Sequence, residues 1–78
     1  MTERWPAFAS TDLIRALRKL GFLVVPGGKG SHTKLVHPRH SGALTIPQSK
    51  SLGRGIRAAL LKQIHAMGVD LSALKRSL

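Results

Sequence analysis

Four histidines, no cysteine and only three acidic residues bound the chemistry open to this 78-residue chain. Without thiols there is no disulfide framework and no thiolate metal site. Hard divalent ions need oxygen ligands, and the scattered Glu3, Asp12 and Asp70 cannot form a cage for one. His32, His37 and His40 offer nitrogen donors but lack the helical spacing of a zinc site, and the positive charge around them opposes cation binding. Neither a metal nor a cofactor is expected. A nucleophilic triad has no orienting acid, and Ser31 beside His32 is adjacency only, because neighbours on a strand point to opposite faces. What remains is general acid–base chemistry on a substrate that brings its own nucleophile. RNA does so: its 2′-hydroxyl attacks the adjacent phosphodiester once a base removes its proton. Imidazole, with an ordinary pKa of about 6.5, suits both halves of that proton traffic near neutrality. Lysine and arginine offset the charge that builds on the pentacoordinate phosphate.

The segment GKGSHTKLVHP concentrates these residue types. Pro26-Gly27-Gly28-Lys29-Gly30 reads as a flexible turn whose backbone amides can approach a phosphate closely. If Ser31–His37 is extended, His32, Lys34 and Val36 share one face, while Ser31, Thr33, Leu35 and His37 share the other. A base and a cation two residues apart then face one substrate. The same residues fit equally well a hairpin turn with an incidental surface histidine.

These groups need a scaffold. Leu13, Ile14, Leu17 and Leu20 recur as one apolar helical face, so a first helix is predicted over Thr11–Lys19. Ser10 or Thr11 is its expected cap, Asp12 sits in its first turn, and Gly21 ends it. Three short strands follow: Phe22–Val25, Ser31–His37 stopped by Pro38, and, after the loop RHSG, Ala43–Ile46 stopped by Pro47. A second helix is predicted over Leu52–Met67. Its apolar stripe is Leu52, Ile56, Leu60, Ile64 and Met67 with Ala59 beside them, and Gly68 is its end. Gly53 and Gly55 weaken its start by about 1 kcal/mol each relative to alanine. They suggest close backbone approach or an anion-binding helix end. Asp70 is expected to cap a short last turn, Leu71–Lys75, with Leu71, Leu74 and Leu78 toward the core or a groove. The order α-β-β-β-α plus a tail is an α+β architecture: a three-stranded antiparallel sheet with two helices on one face. The chain is expected to be a single domain, 1–78, with a leader at 1–9 and a tail at 69–78. Trp5 and Phe8 in the leader fit an aromatic anchor on the core better than a stacking platform for bases.

Charge names the class of partner. Thirteen Lys and Arg against three acids give +10, and nothing between Leu13 and Val69 is negative. Such a field concentrates polyanions and opposes its own compaction, so the expected partners are nucleic acid or an acidic protein. GFLVVPGG, the longest apolar run, is far too short to span a bilayer, and MTERWPAF lacks the pattern of a secretory signal. The chain is expected to be cytoplasmic.

The ordered pieces LIRALRKLGF, GKGSHTKLVHP and LTIPQSKSLGRGIRAALLKQIHAMGV resemble the HicA-like toxins, over roughly Ser10 to Val69. The resemblance implies a fold like the double-stranded-RNA-binding domain, cleavage of messenger RNA without metal, and neutralisation by a cognate HicB-like antitoxin. It puts the catalytic histidine on His32, with Gly30 and Ser31 shaping the turn that presents it. Where family members often carry a second histidine after a Val/Ile-Pro, this chain has Pro47-Gln48-Ser49-Lys50. A supporting role there passes to Gln48 or Lys50, or is absent. Lys29, Lys34, Lys50, Arg54 and Arg57, with Gly30 and Ser31, are the expected RNA contacts; Arg54 and Arg57 share a face at the start of the second helix, whose positive end helps to hold phosphate. His37 is expected to be structural or at the rim, His40 a solvated loop residue beside Arg39, and His65 a helix-surface residue. The expected function is an endoribonuclease acting through His32 and held by an acidic antitoxin. The alternative is a non-catalytic RNA-binding module of the same fold. A DNA-binding protein is disfavoured because no helix-turn-helix spacing appears.

Overall fold

A computed structural model of the chain describes residues 5–26 and 32–78. Its elements run α1 (Ser10–Lys19), β1 (Leu23–Val25), β2 (His32–His37), β3 (His40–Pro47), α2 (Arg54–Ala66) and α3 (Leu71–Ser77). The strands form one antiparallel sheet in the order β1-β2-β3. The α+β order read from the sequence is the order observed.

Strand alternation separates the two sheet faces. Leu35 pairs with Leu44 and Thr33 with Ile46, and Leu35, Leu44 and Ile46 are fully buried. They meet Leu13, Ala16 and Leu17 of α1, Leu60, Leu61 and Ile64 of α2, and Leu74 of α3 in one core. The opposite face carries His32, Lys34 and Val36 with their cross-strand partners Pro47, Thr45 and Ala43, and among the described residues no helix packs on it. Phe8 is buried and Trp5 packs partly against the core, so the leader is anchored there by its aromatic side chains. The short last helix runs two residues beyond Leu71–Lys75, to Ser77. Asp70 caps it by accepting from the Ser72 N–H at 2.9 Å, and Leu71, Leu74 and Leu78 turn to the core.

Both longer helices end in the same way. Gly21 donates to Arg18 O at 3.0 Å and Phe22 to Leu17 O at 3.0 Å; Gly68 donates to His65 O at 3.0 Å and Val69 to Ile64 O at 3.4 Å. This double bond pattern requires a left-handed residue, supplied by Gly21 at φ +100° and Gly68 at φ +95°.

Three expectations are corrected. Neither Ser10 nor Thr11 caps α1: Ala9 stands at the cap, its N–H donates to Asp12 Oδ2 at 2.9 Å, and Ser10 is turned inward. The third strand starts at His40 rather than Ala43. The turn shrinks to Pro38-Arg39, and a register step after Val36 absorbs Ser41 and Gly42, the latter at φ +88°. Finally, α2 begins at Arg54 behind Gly53, so Leu52 is buried in an extended segment before it. The helical phase starts afresh, Leu61 joins Leu60 and Ile64 in the core, and Ile56 is left 49 % exposed, with Ala59 also outside. The close approach suggested by Gly53 and Gly55 is absent, since a Cβ at either meets nothing within 4 Å.

Candidate functional site

His32 opens β2 and is exposed on the uncovered sheet face. Lys34, two residues along the same strand, is exposed on the same face. Across the ladder His32 pairs with Pro47, the last residue of β3. The chain continues through exposed Gln48 to exposed Lys50, so both follow directly on the cross-strand partner of His32. Three residues of extended chain reach at most about 11 Å, which bounds the distance from Pro47 to Lys50. Arg54 is exposed in the first turn of α2, and Arg57 is half-buried with its guanidinium 5.9 Å from the centre of the Phe8 ring. Arg57 is therefore partly engaged by packing. Lys29, Gly30 and Ser31 lie outside the described residues.

Among the described residues, none hydrogen-bonds the His32 ring. Asp12 accepts from Ala9 and faces Arg15 at 3.7 Å, and Asp70 caps α3. Each carboxylate is committed to a helix start, so neither orients His32. Among the described residues nothing occupies either ring nitrogen, and exposed Lys34 shares the face of His32. Among the described residues no three His or acidic side chains come together as a metal-binding group.

The other histidines show what a structural role looks like. The Arg39 N–H donates to His37 Nδ1 at 3.0 Å, so His37 carries its proton on Nε2, which donates to Leu20 O at 2.9 Å. The ring stands edge-on to Phe22 at 5.0 Å and lies 4.4 Å from the His40 ring. His37 is structural, as expected. His40 begins β3 and is half-buried in this aromatic cluster rather than solvated in a loop. His65 lies exposed on α2.

Sequence reasoning missed the residues behind His32. Pro47 was read as a stop for β3, and Ser10 as a cap; the Ser10 hydroxyl instead donates to Pro47 O at 2.5 Å and accepts from the Ser49 N–H at 2.7 Å. A serine at a helix start is the signal of both roles, and only the fold separates them.

A family described as the HicA toxin of bacterial toxin–antitoxin systems matches residues 10–66, from the first residue of α1 to the last of α2. The chain belongs to the HicA toxin family. It is the toxin of a toxin–antitoxin pair, and an antitoxin is its partner. No curated protein and no solved structure matches it. Among the described residues, no helix is long and apolar enough to cross a membrane.

Proposed function

We propose that this HicA toxin is a metal-independent endoribonuclease that cleaves messenger RNA in the cytoplasm and is held inactive by an acidic HicB-like antitoxin. The observation that carries the reading is the exposed ring of His32, without a hydrogen-bond partner among the described residues, on the open sheet face, with Lys34 on the same face. His32 takes the proton of a ribose 2′-hydroxyl, and the 2′-oxygen forms a bond to the adjacent phosphorus. The bond to the 5′-oxygen breaks, and that oxygen takes a proton from water or a lysine ammonium. The products are a 2′,3′-cyclic phosphate and a 5′-hydroxyl. Lys34 and Lys50 offset charge on the phosphorane, and Arg54 and Arg57 hold flanking phosphates. Lys29, Gly30 and Ser31 belong to the proposed RNA contacts on sequence grounds alone. Asp12 and Asp70 serve the starts of α1 and α3, which supports chemistry at His32 without a carboxylate-held metal.

Among the described residues none hydrogen-bonds the His32 ring, and no second acid–base residue is evident, which argues for a slow enzyme. The same feature favours the second reading, a non-catalytic RNA-binding module. His32→Ala separates the two. On an unstructured RNA, cleavage is expected to be lost while RNA affinity stays within about twofold, since one ring beside thirteen Lys and Arg adds little to binding. Binding by both proteins with cleavage by neither establishes the module instead.

A further inference from the structure

We infer that Ser10 is a positioning residue for the His32 site: its buried hydroxyl holds the Pro47–Ser49 segment that backs His32 and leads to Lys50. The inference rests on the ribonuclease reading above. Among the described residues Ser10 is the one buried polar side chain, 3 % exposed. A hydroxyl has one hydrogen, and the shorter contact, Pro47 O at 2.5 Å, takes it. Ser49 O, 3.1 Å from that hydroxyl, is served by the Ser10 backbone N–H at 3.0 Å. The lone pair of the hydroxyl accepts from the Ser49 N–H at 2.7 Å. Three backbone polar groups of the segment, Pro47 O, Ser49 N–H and Ser49 O, thus end on a single residue of α1.

The place of that segment gives the contact its meaning. Pro47 is the cross-strand neighbour of His32, and Lys50 is the next residue after the clamp. Residues 48–53 have no helix or strand of their own to hold them. Beyond Ser10, the segment is tied by the Ser49 hydroxyl to Ser51 O at 2.9 Å and by the Leu52 N–H to Phe8 O at 3.1 Å. The second of these keeps the start of α2 in place when Ser10 is changed. Loss of the hydroxyl therefore leaves Pro47 O and the Ser49 N–H without this partner and loosens Pro47–Lys50, which the Ser10 N–H still holds at Ser49 O, without unfastening the helix or the sheet.

The test compares wild type, His32→Ala, Ser10→Ala, Lys50→Ala, the Ser10/Lys50 double variant and Ser77→Ala on an unstructured oligoribonucleotide, with a melting curve for each. Ser77 donates its hydroxyl to Ala73 O at 3.0 Å in α3 and serves as the control for losing a hydroxyl away from the site. Ser10→Ala is expected to remain folded and to lose about tenfold in kcat/KM, the scale of a small displacement of a positioned group. Ser77→Ala is expected to keep wild-type kcat/KM. In the Lys50→Ala background the Ser10 effect shrinks to less than twofold, because the two act through one segment. Wild-type kcat/KM in folded Ser10→Ala, or a full tenfold loss that persists without Lys50, overturns the positioning role and leaves the ribonuclease reading standing. No cleavage by wild type, or undiminished cleavage by His32→Ala, overturns both.

Discussion

Two histidines five residues apart on one strand differ in every way that matters to function. His37 spends both ring nitrogens on backbone groups, whereas among the described residues nothing bonds to His32. Removing each ring therefore has opposite consequences. His37→Ala strands the Leu20 carbonyl and the Arg39 N–H and empties the space beside Phe22, so it should cost about 1–3 kcal/mol of stability. His32→Ala should stay within about 0.5 kcal/mol, as surface changes generally do. Urea denaturation of both variants checks this; a marked loss in His32→Ala would mean that its ring is held by contacts beyond the described residues. The sequence pattern assigned the two rings to opposite faces correctly because alternation along a strand is strict. It could not show that His40 would close onto His37, since that depends on the register step opposite Ser41 and Gly42. Gly21 belongs to the same arrangement: a Cβ there would lie 2.8 Å from His37 Nε2. A helix stop was legible; the ring pressed against it was not.

At the scale of elements, α2 shows how far periodicity reaches. Leu52 to Met67 reads as an unbroken stripe, but the helix starts only at Arg54, and one residue of phase decides between Ile56 and Leu61. Leu61→Ala should cost about 2–5 kcal/mol and Ile56→Ala well under half of that, measured by the same denaturation. Equal losses would contradict the observed phase. The end signals were more readable than the starts. Gly21, Gly68 and Asp70 do what their types suggest, because a left-handed residue or a short carboxylate at a helix boundary is satisfied locally. Ser10 is satisfied 37 residues away in sequence, at Pro47, and no local rule finds that.

At the scale of the whole molecule, a net charge of +10 makes the proposed binding to RNA an electrostatic matter. Lys34→Ala and Lys50→Ala should each lower the slope of log affinity against log salt by about 1 and weaken binding similarly for RNAs of different sequence. An unchanged slope would remove that lysine from the phosphate contacts. The architecture was legible because turn residues and periodicities agree with one another along the whole chain. The site was legible only as far as His32 and Lys34, which one strand places together. Its remainder depends on how α1 and the connection after β3 meet, a long-range contact that composition and spacing do not encode. The central claim is that His32 turns a ribose hydroxyl on its own phosphate without metal. Its most direct test is to incubate wild type and His32→Ala with an unstructured RNA in EDTA and low salt and to map the ends of any products. The account predicts 2′,3′-cyclic phosphate and 5′-hydroxyl ends from wild type alone. Products ending in 3′-hydroxyl and 5′-phosphate, or the same cleavage by His32→Ala, would contradict it.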